Sequence, residues 1–172
     1  MSWRAALVWI AAFCGLALFG TAADRLHKDA DGRRRYGSRG RVVRVIDGDT
    51  VRVRASDQET HTVRYIGVDT PESVKPDTPV QCYAKRASAF NRRLVGGRGV
   101  RLRFGAERTD RYGRLLAYVY RDGARRSASG MLIARGYGRV LTIPPNTAHV
   151  RAFGRLERKA RRLRRGLWGA CQ

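Results

Sequence analysis

Residues 41–68 read RVVRVIDGDTVRVRASDQETHTVRYIGV. Val43 and Val45, then Val51 and Val53, alternate with arginines, the two-residue period of a strand with one buried face. Thr62 to Val68 makes a third run, with apolar residues on both faces. Ala55-Ser56-Asp57-Gln58 supplies a hairpin turn between the second and third runs, and Pro71 breaks the pattern after Val68. Three strands in succession are the expectation.

After Pro79 the period changes. Val80, Tyr83, Ala84, Ala87, Phe90 and Leu94 share one helical face, which Gly96-Gly97 ends. Val100, Leu102 and Phe104 then alternate with arginines as a fourth strand, and Leu116 to Tyr120 forms a fifth that stops at Asp122-Gly123. Ser127 or Ser129 can cap a short helix through Met131 and Leu132 that ends at Gly136. Val150, Phe153, Leu156, Ala160, Leu163 and Leu167 space out a final amphipathic helix with an arginine-rich opposite face. This order suits a five-stranded barrel of the oligonucleotide-binding type with helices on one side; a ferredoxin-like α+β sandwich is the competing pattern.

The chain has 172 residues, 36 of them Lys or Arg against 14 Asp or Glu, for a formal net charge of +22. With 43% hydrophobic residues it can bury a core, which excludes a disordered polycation and a collagen-like repeat. So large a positive excess makes a polyanion the default partner, nucleic acid first. Residues 1–23 carry a short basic lead, an uncharged apolar run that includes Cys14, and small residues Gly20 to Ala23. They predict a signal peptide and export to a secreted or periplasmic location, with an uncleaved membrane anchor facing outside as the competing reading. Residues 24–40, polar and charged, read as a flexible linker. Beyond the leader only Cys82 and Cys171 remain. In an oxidising compartment they read as a disulfide, worth about 4–5 kcal/mol in the chain-entropy treatment, with two free thiols as the alternative.

Acids are scarce, so their positions carry information. Asp57 and Glu59 belong to the hairpin tip, whereas Asp47, Asp49, Asp69 and Glu72 lie at its other end, in Ile46-Asp47-Gly48-Asp49-Thr50 and Val68-Asp69-Thr70-Pro71-Glu72. Antiparallel pairing folds these two segments toward each other. Like charges gathered in this way repel unless a cation lies among them, and an all-oxygen donor set favours Ca²⁺ or Mg²⁺ over zinc. An ordinary Asx turn is the plainer reading of Asp47-Gly48-Asp49. Arg64, with apolar neighbours, needs an anionic partner or access to a cleft; an ion pair to one of the aspartates would serve. Arg108-Thr109-Asp110-Arg111-Tyr112-Gly113-Arg114 mixes cations, an aromatic ring and a flexible glycine, as a phosphate- and base-contacting turn does.

These three segments, in this order and with the helix through Ala87-Ser88-Ala89-Phe90 between them, resemble the motifs of the staphylococcal nuclease (thermonuclease) family. The similarity runs from about Arg41 to Trp168. It implies an α+β, mainly β, fold: a five-stranded OB-type barrel with about three packed helices over 41–168, followed by a tail at 169–172. It also implies that Asp49 and Asp69 ligate one Ca²⁺ through carboxylate oxygens, and Thr70 through its backbone carbonyl. By the same resemblance Glu72 orients or deprotonates the attacking water, and Arg64 and Arg114 hold the phosphodiester. Arg111 and Tyr112 would bind the neighbouring phosphate and nucleotide, and DNA or RNA would be cut to 3′-phosphate products. Val140-Leu141-Thr142-Ile143 stands where the family often presents tyrosines, and Arg111 stands where a lysine is common.

Two other classes compete with an exported calcium-dependent nuclease. One is a barrel that binds single-stranded nucleic acid without cutting it; the other is a membrane-anchored cationic surface protein. Retention of Asp49, Asp69, Glu72, Arg64 and Arg114 together argues for cutting, because binding alone does not call for acids beside a phosphate. A monomer with no obligate protein partner is the expected state. His61 and His149 read as ordinary surface or turn residues, Trp168 as a core residue beneath the last helix, and the arginines from Arg151 to Arg165 as either a solvated face or a track for nucleic acid.

Overall fold

A computed structural model describes residues 39–73 and 79–171. The leader expected over 1–23, and the linker up to residue 38, lie outside the described residues. Five strands close into a barrel in the order β1-β2-β3-β6-β5: β1 (Arg39–Val45), β2 (Thr50–Ala55), β3 (Thr60–Tyr65), β5 (Gly99–Thr109) and β6 (Leu115–Arg121). Neighbours are antiparallel except β3 and β6, whose parallel pairing sets Val63 beside Leu115 and Tyr65 beside Ala117. A second, two-stranded sheet pairs β4 (Val68–Asp69) with β7 (Arg139–Val140). Around the barrel pack α1 (Ala84–Val95), α2 (Ala128–Ala134), α3 (Val150–Arg162) and the one-turn α4 (Leu167–Ala170). The expected α+β, mainly β architecture is the observed one.

Alternation decides which side chains face inward on β2, β3, β5 and β6, but on β1 a bulge between Val42 and Arg44 turns Val42 inward and leaves Val43, expected on the buried face, 42% exposed. Val42, Val51, Val53, Val63, Tyr65, Val100, Leu102, Ala117 and Val119 fill the barrel, each no more than 3% exposed. Ser127 caps α2, accepting a hydrogen bond from the Gly130 N–H at 3.2 Å. Cys82 and Cys171 form a disulfide that ties the approach to α1 to the end of the chain.

Other expectations are corrected as well. Thr62 to Val68 is not one strand: β3 ends at Tyr65, Gly67 turns at φ 83°, and Val68 leaves the barrel to pair with Val140. A Cβ at Gly67 would lie 2.6 Å from the Phe153 ring, so both the backbone angle and the space call for glycine. The helix after Pro79 begins only at Ala84, because Tyr83 adopts a left-handed conformation, and Val80 is 53% exposed. The final helix does not run to Leu167. It stops at Arg162, Arg164 and Gly166 take positive φ, Leu163 is exposed, and α4 follows. Leu167, not Trp168, enters the core; the Trp168 ring lies between the guanidiniums of Arg139 and Arg161, 4.9 and 4.0 Å away. At the domain edges, β1 starts two residues before Arg41, and α4 with the disulfide takes in Gly169 to Cys171.

Candidate active site

The turn between β1 and β2 brings Asp49 to one end of the barrel. Asp47 Oδ1 accepts the Asp49 N–H at 2.9 Å, which is the Asx turn read from the sequence, and this turn sets the Asp49 carboxylate inward. Asn91 of α1 holds the turn from the far side, donating to the Asp47 carbonyl and accepting from the buried Tyr65 hydroxyl. Burial pushes the Tyr65 hydroxyl far above its ordinary range, so it stays a proton donor. Gly48 is needed here because a Cβ would collide with the Thr70 side chain, 2.7 Å from its Cβ.

That close approach joins the two acidic segments. Asp49 Oδ2 accepts hydrogen bonds from the Thr70 N–H at 2.8 Å and the Thr70 hydroxyl at 2.9 Å. Arg64 on β3 lies between the carboxylates: Nη1 is 2.8 Å from Asp49 Oδ1 and Nη2 is 3.0 Å from Asp69 Oδ1. Nη1 also donates to the Val68 carbonyl at 3.0 Å. Asp49, Asp69, Thr70 and Arg64 are therefore one cluster, in which the ion pair weighed for Arg64 is present. Burial pushes the Asp49 carboxyl up to about 7, although Arg64 and the two Thr70 hydrogen bonds pull the other way and Asp47 adds to the rise.

Glu72, two residues beyond Thr70, is fixed by its backbone. Its N–H donates to the Gln81 side-chain oxygen at 2.9 Å, and its carbonyl accepts from the Gln81 N–H at 3.0 Å. Gln81 adjoins Cys82, so the disulfide anchors this clamp. Asp69, Thr70, Gln81, Cys82 and Cys171 line one small hollow of about 250 Å³.

Arg64 also faces a cleft of about 450 Å³ that it shares with Arg111, Tyr112 and Arg114. Asp110 organises that turn. Its Oδ1 accepts from the N–H groups of Tyr112 and Arg114, and its Oδ2 accepts from Arg114 Nε at 2.7 Å. Burial opposes ionisation of Asp110, but these hydrogen bonds outweigh it and hold the carboxyl below its ordinary value. Arg111 and Arg114 both lie over the Tyr112 ring, at 4.8 and 5.4 Å. Leu141 and Ile143 line the same cleft, so aliphatic surface stands in the place the tyrosine departure marked. Asn146 fixes their loop through paired hydrogen bonds with the Glu107 backbone, both 3.0 Å.

Sequence reasoning gave no role to Asp110, Gln81 or Asn91, which position the groups it did name. Asp110 lay within a quoted motif, and its spacing to Arg114, four residues on, was the available signal. His61, half-buried on β3 rather than at the surface, lies 3.6 Å from Glu59 and groups with it and Asp57, both exposed, beside the β2–β3 turn. His149 packs edge-on against Tyr118.

The donor set suits a hard divalent cation: Asp49 and Asp69 offer carboxylate oxygens, Thr70 offers oxygen, and neither imidazole nor thiolate stands among them. Two carboxylates held on one guanidinium that also lines a cationic cleft, at the end of a five-stranded barrel, are an arrangement suited to a phosphodiester. The chain belongs to the staphylococcal nuclease family: residues 62–170 match the family described as staphylococcal nuclease homologue. It is 40% identical over 128 residues to a thermonuclease of Staphylococcus hyicus, covering 74% of each chain. It is 42% identical over 127 residues to the endonuclease YncB of Bacillus subtilis (strain 168), covering 73% of this chain and 59% of that one. Nuclease relatives make nucleic acid the substrate class, and the family is generally metal-dependent.

Proposed function

We propose that this chain is an exported, calcium-dependent nuclease of low sequence specificity that leaves 3′-phosphate ends on DNA or RNA. One observation carries the reading: Arg64 touches both Asp49 and Asp69 and also lines the cleft that holds Arg114. Hydrolysis of a phosphodiester needs charge neutralised on phosphorus oxygens, a water aimed in line and stabilisation of the developing oxyanions. Asp49, Asp69 and Thr70 would hold the cation, whose contribution is to neutralise charge at a phosphoryl oxygen.

The remaining work falls to side chains. A guanidinium has five N–H donors; Arg64 gives one to the Val68 carbonyl and one to Asp69 and makes an ion pair with Asp49, which leaves donors for a phosphate oxygen. Arg114, held at Nε by Asp110, presents its terminal nitrogens to the same phosphate. Glu72 takes up or orients the proton of the attacking water, with Gln81 keeping its backbone in place. Arg111 and Tyr112 take the adjacent phosphate and nucleotide. Ca²⁺ is preferred to Mg²⁺ because an irregular oxygen set, with Asp49 buried and Asp69 exposed, suits its looser coordination.

The test incubates the full chain with DNA and with RNA, in Ca²⁺, in Mg²⁺ and in chelator, and maps product ends. Cutting in Ca²⁺ to 3′-phosphate ends supports the reading; cutting in chelator, or 5′-phosphate ends, contradicts it. Export through residues 1–23 is read separately, by the mass of the mature chain and by fractionation with and without detergent.

A further inference from the structure

The outer face of the barrel carries a feature the catalytic centre does not use. Strand register sets arginine directly against arginine: Arg44 faces Arg52 and Arg41 faces Arg54 between β1 and β2, and Arg39 faces Arg101 between β1 and β5. The inward partners of the same strands are Val42 with Val53 and Val45 with Val51, so these arginines all point outward. Like charges directly opposite on a sheet are destabilising. Arg44, Arg52 and Arg54 are exposed, and among the described residues none has a carboxylate partner. Arg41 gives one nitrogen to the Gly97 carbonyl at 2.7 Å.

The lattice starts at the catalytic cluster. Arg64 pairs with Thr50, and Arg52, two residues along β2, lies on the same face diagonal to Arg64. From Arg52 the cations continue to Arg44 and, one step further along the strands, to Arg54 and Arg41. Outward positions on one strand recur about every 6.8 Å, so the row offers a positive group at regular intervals away from the cut. Thr62 and Thr60, opposite Arg52 and Arg54, add hydroxyl donors and no negative charge.

We propose that this β1–β2 face is a binding track for the phosphate backbone of the substrate polymer, outside the catalytic cleft and running from Arg64 across Arg52, Arg44, Arg54 and Arg41. The inference rests on the nuclease reading. The occupant is a polynucleotide and not a lipid surface, because the row is continuous with the phosphate-binding cleft and no large apolar side chain other than Val43 is exposed along it.

The experiment compares the full chain with an Arg44→Thr, Arg52→Thr, Arg54→Thr variant and with a charge-matched control, Arg151→Gln, Arg155→Gln, Arg158→Gln on α3. Equilibrium binding of long single-stranded and duplex DNA is measured in chelator between about 50 and 200 mM salt. The track variant should lose about 2 units of salt slope on single strands and close to 3 on duplex, as three phosphate contacts require. Its turnover of a nitrophenyl diester of a single nucleotide should be unchanged, and its Tm unchanged or raised, since the opposed charges are gone. The single variants Arg44→Thr and Arg52→Thr, each expected to lose about 0.7 unit on single strands, serve if the triple variant fails to fold. An unchanged slope, an equal loss in the α3 control, or a loss confined to binding of phosphatidylglycerol vesicles overturns the track. Failure of the unsubstituted chain to cleave the small diester would instead count against the nuclease reading.

Discussion

Asp110→Asn is the substitution that isolates how Arg114 is aimed. Asparagine keeps one oxygen, which can still accept the N–H groups of Tyr112 and Arg114 and close the turn. The other position becomes an amide nitrogen facing Arg114 Nε, so a 2.7 Å charge-assisted hydrogen bond is replaced by two opposed donors. A hydrogen bond to a charged group is worth about 1.5–3 kcal/mol, and with the two side chains 32% and 17% exposed the lower end applies. About 1.5 kcal/mol of lost positioning is roughly a tenfold fall in rate. Steady-state cleavage of a short oligonucleotide should show kcat down about tenfold, KM moved less than about twofold, and Tm lowered by a few degrees. An unchanged kcat with the Tm loss would mean that Asp110 only shapes the turn, and the positioning argument would be wrong.

Glu72→Gln and Arg114→Ala should each lower turnover by about two orders of magnitude or more with the far-ultraviolet circular dichroism unchanged, Tm staying near the parent's in Glu72→Gln and falling by a few degrees in Arg114→Ala, which loses the Asp110 contact; near-normal turnover in either removes that residue from the centre. Removing the Cys82–Cys171 bond with Cys82→Ala and Cys171→Ala should cost up to about 4–5 kcal/mol in denaturant titration. The same variant should lower kcat more than KM, because the Gln81 clamp on Glu72 loses its anchor. The Asp49 carboxyl, raised from 3.8 to about 7, binds its proton more tightly folded than unfolded. Its contribution to stability is therefore complete below pH 3.8 and lost as pH rises through about 7, so in chelator Tm should fall across that window and Asp49→Asn should flatten the fall. An equal fall in both proteins would assign the trend to other groups.

The barrel was legible where alternation was strict. Val51, Val53 and their arginines fix both the inward face of β2 and the outward charges, because a period of two leaves one solution. Helix ends were not legible where spacing continued through a break: Leu163 and Leu167 keep a helical interval, yet Gly166 and Arg164 turn the chain between them. The Thr62 to Val68 run misled for a related reason. Its apolar residues serve two sheets, and only Gly67, packed under Phe153, marks the change. In the candidate site, Asp49, Asp69 and Glu72 were readable because acids are scarce in a chain of net charge +22, whereas Arg64, Arg111 and Arg114 stood out only by their place in the motifs. The residues that hold them in place were not readable. Asn91 and Gln81 act across gaps in sequence that close only in three dimensions.

The central claim is that hydrolysis occurs where Asp49 and Asp69 meet Arg64. Single-turnover cleavage of labelled DNA by the full chain and by Asp49→Asn, across a Ca²⁺ titration, tests it most directly. The account predicts saturable, Ca²⁺-dependent cutting by the parent and a loss of at least about a hundredfold in Asp49→Asn that added Ca²⁺ does not restore. Cutting by Asp49→Asn at the parent rate would contradict it.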